Sequence, residues 1–223
     1  MANFVYKIGG TGTTLTQSEQ EQNVSAIQAV LTGYGWTVNA IAGALGCFQE
    51  ESGMNPGIYE TSHGGNLNNL PYFPGGMGLA QWTDYPAYTS QYPNPLPWSA
   101  DKENKDWWDG NFQCWLLTKA DDASYTSMGY GQGARWGWQK SKDYPSIDFT
   151  AYQKWDGGVN TATEYWFYDM EWHYSVVPSG YLEARKAAAR KWYEYMTGHP
   201  VPPEPPEPGA SRKMPLWFYL KKL

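Results

Sequence analysis

Two glutamates stand side by side at the end of an apolar run, Glu50 and Glu51 in "GCFQEESGMNPG", and a turn sequence follows at once. A carboxyl group serves as a general acid only if it keeps its proton near neutral pH. Helical phase separates the two. At 100° per residue, Ile41, Leu45 and Phe48 set the buried direction of a helix expected from Val38 to Glu51. Glu50 then points almost opposite, to water. Glu51 lies roughly 80° from the buried direction, on a flank shared with Ala40, Ala44 and Cys47. Partial burial disfavours the charged form of a carboxyl, and the partial negative charge of a helix C-terminus acts the same way. Glu51 is therefore the candidate acid. The plain alternative, two solvated surface glutamates, predicts no special sequence downstream.

The downstream sequence is special. "SGMNPG" turns the chain back, and the compact piece "GMGLAQWT", Gly76 to Thr83, follows a short loop later. An amide at Gln81 and a flat ring at Trp82, beside small glycines, suit the wall of a sugar-binding cleft. Gly76 and Gly78 are expected to let the backbone approach a ligand closely. Ser52 and Gln81 are candidates for orienting sugar or water. Tyr59, Tyr72 and Trp82 are candidate subsite walls, with core packing an equal alternative for each ring.

Other reactive side chains are few. Cys47 and Cys114 are expected to be two buried free thiols rather than a disulfide. His63, His173 and His199 are scattered without metal-ligand spacing, and no cofactor is called for. A Cys47–His173 hydrolase can be drawn, but nothing in the sequence supplies its geometry.

The elements that position these residues read as mainly helical. Ser18 and Glu21 have capping-box spacing before a helix to about Leu31, with Val24, Ile27, Val30 and Leu31 on one face. Gly33 and Gly35 break it, and Thr37 caps the helix that carries the glutamates. Residues from Ser52 to about Ala100 are loop-rich. Further helices are expected near Gly110 to Lys119, within "SIDFTAYQKW", from Thr161 through "TATEYWFYDMEWHY", and from Leu182 to Met196, the last with Arg and Lys on its outer face. Residues 1–17 read as an irregular arm, 18–198 as the catalytic body, 199–210 as a stiff Pro-rich linker and 211–223 as a basic, apolar tail.

Composition narrows the classes. The chain has 223 residues, a net charge of −6 and 17% aromatic residues, among them 13 Trp and 18 Tyr. That is too apolar for disorder and too acidic for a nucleic-acid binder. No apolar run reaches membrane-spanning length. "MANFVYKIGGTGTT" lacks the basic start and apolar block of a secretory leader.

"GYGWTVNAIAGALGC", "ESGMNPG" and "GMGLAQWT" together resemble the phage tail lysozyme family of the lysozyme-like superfamily, related to goose-type lysozymes and lytic transglycosylases. The likeness runs strongly over Tyr34 to Thr83 and more weakly to about Met196. It implies a lysozyme-like α+β domain with long loops around a substrate cleft. It also implies a glycosidase that cleaves the MurNAc–GlcNAc β-1,4 bond of bacterial peptidoglycan, with the family's acid at Glu51 and its Gln and Trp at Gln81 and Trp82. Two departures stand out. Cys47 replaces an Asn, and Glu171 matches an acid whose basic and proline neighbours are here "WHY", which points to a structural hydrogen-bonding role for Glu171.

A second carboxylate would activate water, with Asp84, Glu60 and Asp101 as candidates. Alternatively the substrate's own hydroxyl closes an anhydro product, as in lytic transglycosylases. Two rival classes remain: a non-catalytic wall-binding module, and a structural tail component whose C-terminal tail binds other tail proteins. The resemblance places the protein on a virion tail or free after release, acting on the wall.

Overall fold

The computed structural model describes residues 1–83, 93–126, 136–171 and 179–203. Helix α1 spans Gln17–Gly33 and α2 spans Val38–Ser52. Short helices follow: α3 at Pro95–Lys102, α4 at Gly110–Leu117, α5 at Ala123–Thr126 and α6 at Phe149–Gln153. Helix α7, Val159–Trp166, runs on into a π-helical segment, Phe167–Glu171, and α8 is Tyr181–Thr197. Two short strands, β1 at Gly9–Gly10 and β2 at Ile58–Tyr59, pair in parallel. The fold is mainly α and lysozyme-like.

Local chemistry sets the ends of these helices. The capping box of α1 is Thr16 with Glu19, two residues before the expected Ser18–Glu21. Glu19 N–H donates to Thr16 Oγ1 at 3.3 Å and Thr16 N–H donates to the Glu19 carboxylate at 2.7 Å. Thr16 has the extended backbone a cap requires, while Ser18 already lies within the helix. Thr37 caps α2 as expected, its hydroxyl accepting from Ala40 N–H at 3.2 Å.

Helix α2 is the axis of the molecule. The stripe Ile41, Leu45 and Phe48 predicts a one-sided helix, yet residues 40–48 are all buried. The reason lies in the small residues between the large ones. A Cβ on Gly43 would stand 2.7 Å from the backbone of Ala162 on α7, and one on Gly46 would stand 2.4 Å from the carbonyl oxygen of Arg185 on α8. Glycine at these two positions lets both neighbours close onto α2, so every face of it is covered over residues 40–48.

The loops are held by buried side-chain amides. Asn55 accepts from the N–H of Lys7 and of Gly57, both at 3.1 Å, and donates to Lys7 O at 2.9 Å. Asn23 accepts from Val5 N–H at 2.8 Å and donates to Val5 O and Met54 O. Gln113 accepts from Leu79 N–H at 2.8 Å and donates to Pro56 O and Trp107 O. Asn94 donates to Gly75 O and Trp82 O. Irregular backbone cannot satisfy itself when buried, and an amide offers both a donor and an acceptor. The N-terminal arm is thereby fastened to the turn that follows α2.

Candidate functional site

Helix α2 ends in two consecutive left-handed residues. Gly53 caps it at φ 55°, and Met54 follows at φ 63°. Glycine adopts this conformation freely, but a methionine does so only when its surroundings dictate it. Met54 is fully buried and its carbonyl accepts from Asn23 Nδ2 at 2.8 Å. This sharp turn leaves Glu50 exposed and Glu51 half-buried, its side chain 28% exposed.

Glu51 belongs to a network of three charged groups. Arg185, only 6% exposed at the side chain, donates from Nη2 to Glu51 Oε1 and, at 3.1 Å, from Nε to Glu171 Oε2. Its Nη1 also donates to Tyr181 O at 3.4 Å, and the guanidinium lies over the rings of Phe167 and Tyr181, 5.1 and 5.5 Å from their centroids. The Glu171 side chain is 9% exposed. Among the described residues its other oxygen, Oε1, has no hydrogen-bond donor, and the Cys47 thiol interacts with the carboxyl.

Burial raises the Glu51 carboxyl above the usual range against the opposing pull of Arg185, and the charges of Glu50 and Glu60 add to the rise. Burial dominates at Glu171 too, with the neighbouring Glu51 charge second, and pushes it up to about 8. Two carboxyls facing one guanidinium in a poorly hydrated site favour holding a proton between them. Cys47, also pushed up by burial, stays a neutral thiol. Both cysteines are free and buried, in line with the sequence reading.

The other sequence candidates separate. Ser52 is buried and its hydroxyl donates to Phe48 O at 3.0 Å, an interaction within α2. Trp82, 3% exposed, packs edge-on against Trp136 at 6.0 Å and belongs to the core. Gly76 and Gly78 make room for the protein's own side chains. Gln81 folds over Gly76, while Leu96 and Gln113 close on Gly78. Gln81 itself is half-buried with φ 48°, its Nε2 donating to Gly78 O at 3.0 Å. The stretch is a tight hairpin, closed by mutual Met77–Trp82 backbone bonds and paired to Tyr59.

Tyr59 is half-buried with its ring edge-on to Phe73, and Tyr72 is 42% exposed. Glu60 accepts from Gly76 N–H at 3.2 Å and from Ser62 Oγ, and lies 3.3 Å from His63. Its charge reaches Glu51. Asp101 is exposed on α3, which packs on α4 and α5. Asp84 and His173 lie outside the described residues.

Arg185 corrects the expectation that the basic residues of α8 face outward. Leu182, Arg185, Ala189, Trp192 and Met196 recur at alternating intervals of three and four, the spacing of one helix face. An arginine within an otherwise apolar stripe was the signal available in the sequence. Glu171 was visible only as a match, because the π-helical register that turns it inward is invisible to a 3.6-residue period.

A helical body around one buried helix, with a half-buried carboxyl at its end and a glycine-rich hairpin beyond, defines the lysozyme-like class. Residues 22–196 match the phage tail lysozyme family, and the chain belongs to it. It is also 40% identical over 74 residues to Morphogenesis protein 1 of Bacillus phage B103. That match covers 33% of this chain and spans 19% of the relative's length.

Proposed function

We propose that the protein is a muramidase in which Glu51 protonates the glycosidic oxygen between N-acetylmuramic acid and N-acetylglucosamine in peptidoglycan. One observation carries the reading: of the adjacent pair, Glu51 alone is half-buried, and burial favours the protonated carboxyl that a general acid needs. Family membership supports the glycosidase chemistry. Gln81 and the exposed Tyr72 are the candidates for substrate contact, with Tyr59 behind them. Protonation at Glu51 releases the leaving sugar through an oxocarbenium-like transition state.

Among the described candidates for the second step, Glu60 is the carboxylate whose charge acts on Glu51. A second reading, a lytic transglycosylase giving anhydro-muramyl products, is favoured by the engagement of Glu60 with Gly76, Ser62 and His63, which leaves it poorly suited to activate water. Membership of the phage tail lysozyme family supports a place on the virion tail; in this reading residues 199–210 are a linker and 211–223 the segment that meets other tail proteins. Among the described residues no helix is long and apolar enough to cross a membrane.

The test is digestion of purified peptidoglycan. Glu51→Gln is expected to slow clearing roughly 100-fold or more, while Glu50→Gln keeps wild-type activity. Equal losses in the two variants, or clearing by Glu51→Gln, would sink the assignment. Mass spectrometry of the products then separates the chemistries, since hydrolysis leaves reducing ends and transglycosylation leaves anhydro ends.

A further inference from the structure

The guanidinium of Arg185 is placed with more care than a stabilising ion pair requires. It is buried within the apolar stripe of α8 and forks between two carboxylates from different elements, with a backbone carbonyl and two ring faces fixing its plane. Its own backbone is pressed onto α2 at Gly46, where no side chain could fit. Buried ion pairs contribute little net stability over apolar packing of the same volume, so stability alone does not account for the arrangement. Building on the reading of Glu51 as the acid, we propose that Arg185, anchored by Glu171, is a positioning residue that fixes the orientation of the Glu51 carboxyl through one arm of its fork.

Charge and shape make separate contributions. Among the described residues, the charged and titratable groups acting on this site are Glu50 and Cys47 on α2, Glu60 from the loop after β2, Tyr152 on α6, Glu171 from the π-helical segment, and Tyr181 and Arg185 from α8. Arg185 is the one cation in that set, and it favours the ionised form of Glu51. Its loss therefore moves the loss of activity at alkaline pH to higher pH. Lysine keeps the charge, but a single ammonium cannot span both carboxylates as a planar fork does.

The experiment compares Arg185→Lys, Arg185→Gln and the double variant Arg185→Gln/Glu171→Gln with wild type, measuring clearing of purified peptidoglycan across pH and substrate concentration. Arg185→Gln and the double variant are expected to move the alkaline limb up by about one pH unit. Arg185→Lys is expected to leave the limb in place while cutting the saturating rate roughly tenfold, with the half-saturating peptidoglycan concentration little changed. The double variant removes the buried Arg185–Glu171 pair together and leaves only the half-buried Glu51 carboxyl, so it and Arg185→Lys decide the matter if Arg185→Gln does not fold. A limb that stays put in a folded charge-deleted variant, or a wild-type saturating rate in Arg185→Lys, overturns the proposal. Glu51→Gln is the separate control: if it stays active, the reading of Glu51 fails, whereas an inactive Glu51→Gln beside unaffected Arg185 variants removes only the role of Arg185.

Discussion

Glu171 is where the protein's stability and its site chemistry meet. Its carboxyl stands well above its ordinary value of 4.5, at about 8, because the fold buries it beside a second carboxyl. The folded state thus favours the protonated form. The stability tied to this residue is complete below pH 4.5 and is lost as pH rises through 8. Glu171→Gln, which cannot ionise, is expected to be as stable as wild type near pH 5 and more stable at pH 9, by on the order of 1–4 kcal/mol. Urea unfolding of both proteins at the two pH values checks this, and a difference independent of pH would mean that Glu171 is ionised throughout. At this scale the sequence told part of the story. Helical phase expected Glu50 to be exposed and Glu51 half-buried, as they are, although residues 40–48 are buried on every face and the contrast arises only in the last turn of α2. It did not reveal Arg185, because a lone arginine among Ala, Arg and Lys residues reads as surface unless its place in the apolar spacing is counted. Nor did it show that Trp82 fills the core, since a tryptophan suits a sugar wall and a hydrophobic interior equally well.

Between elements, small residues decide how closely helices approach. Gly46→Ala would place a methyl group 2.4 Å from the Arg185 carbonyl oxygen and 2.7 Å from Ala189 Cβ. Alanine gains up to about 1 kcal/mol in helix propensity over glycine, but overpacking costs typically about 1–3 kcal/mol or more. The net effect is expected to be destabilising, with α8 pushed off α2. Gly33→Ala, at the end of α1 with nothing within 4 Å of the added carbon, supplies the contrast and is expected to be neutral or slightly stabilising. Thermal unfolding of the two variants measures the difference, and similar melting temperatures would show that α8 yields without cost. The helices themselves were largely legible, since Thr37, Gly33 and the apolar spacing mark their ends and faces. What the spacing could not show is that α2 is covered on all sides over residues 40–48, because an alanine reads the same on a surface and in a close contact.

Across the whole molecule, buried amides do the work that sheets do in other folds. Asn55 is expected to be the most sensitive of them, because it ties the N-terminal arm at Lys7 to the turn behind Glu51. Asn55→Ala leaves several buried backbone groups unpaired, at about 1–3 kcal/mol for each one that water cannot reach. Limited proteolysis is expected to cut the arm first in this variant, and an arm as resistant as in wild type would show that its other ties, through Asn23 and Asn111, suffice. Nothing in "MNPG" announced this role, since Asn before Pro reads simply as a turn signal. Helix α8 has a different global meaning. Its second turn carries Arg185, and beyond its last residue Val201 packs near Ala42, Val159 and Ala189. Between these points α8 is bolted to its neighbours by Lys186–Glu164, Arg190–Asn160 and Trp192–Gln49. A mechanical load applied through the proline-rich segment would travel along a rod about 20 Å long at 1.5 Å per residue. The three ties along that rod would pass the load into α2 and α7 before it reached Arg185, so the Glu51 site is shielded from tension on the segment.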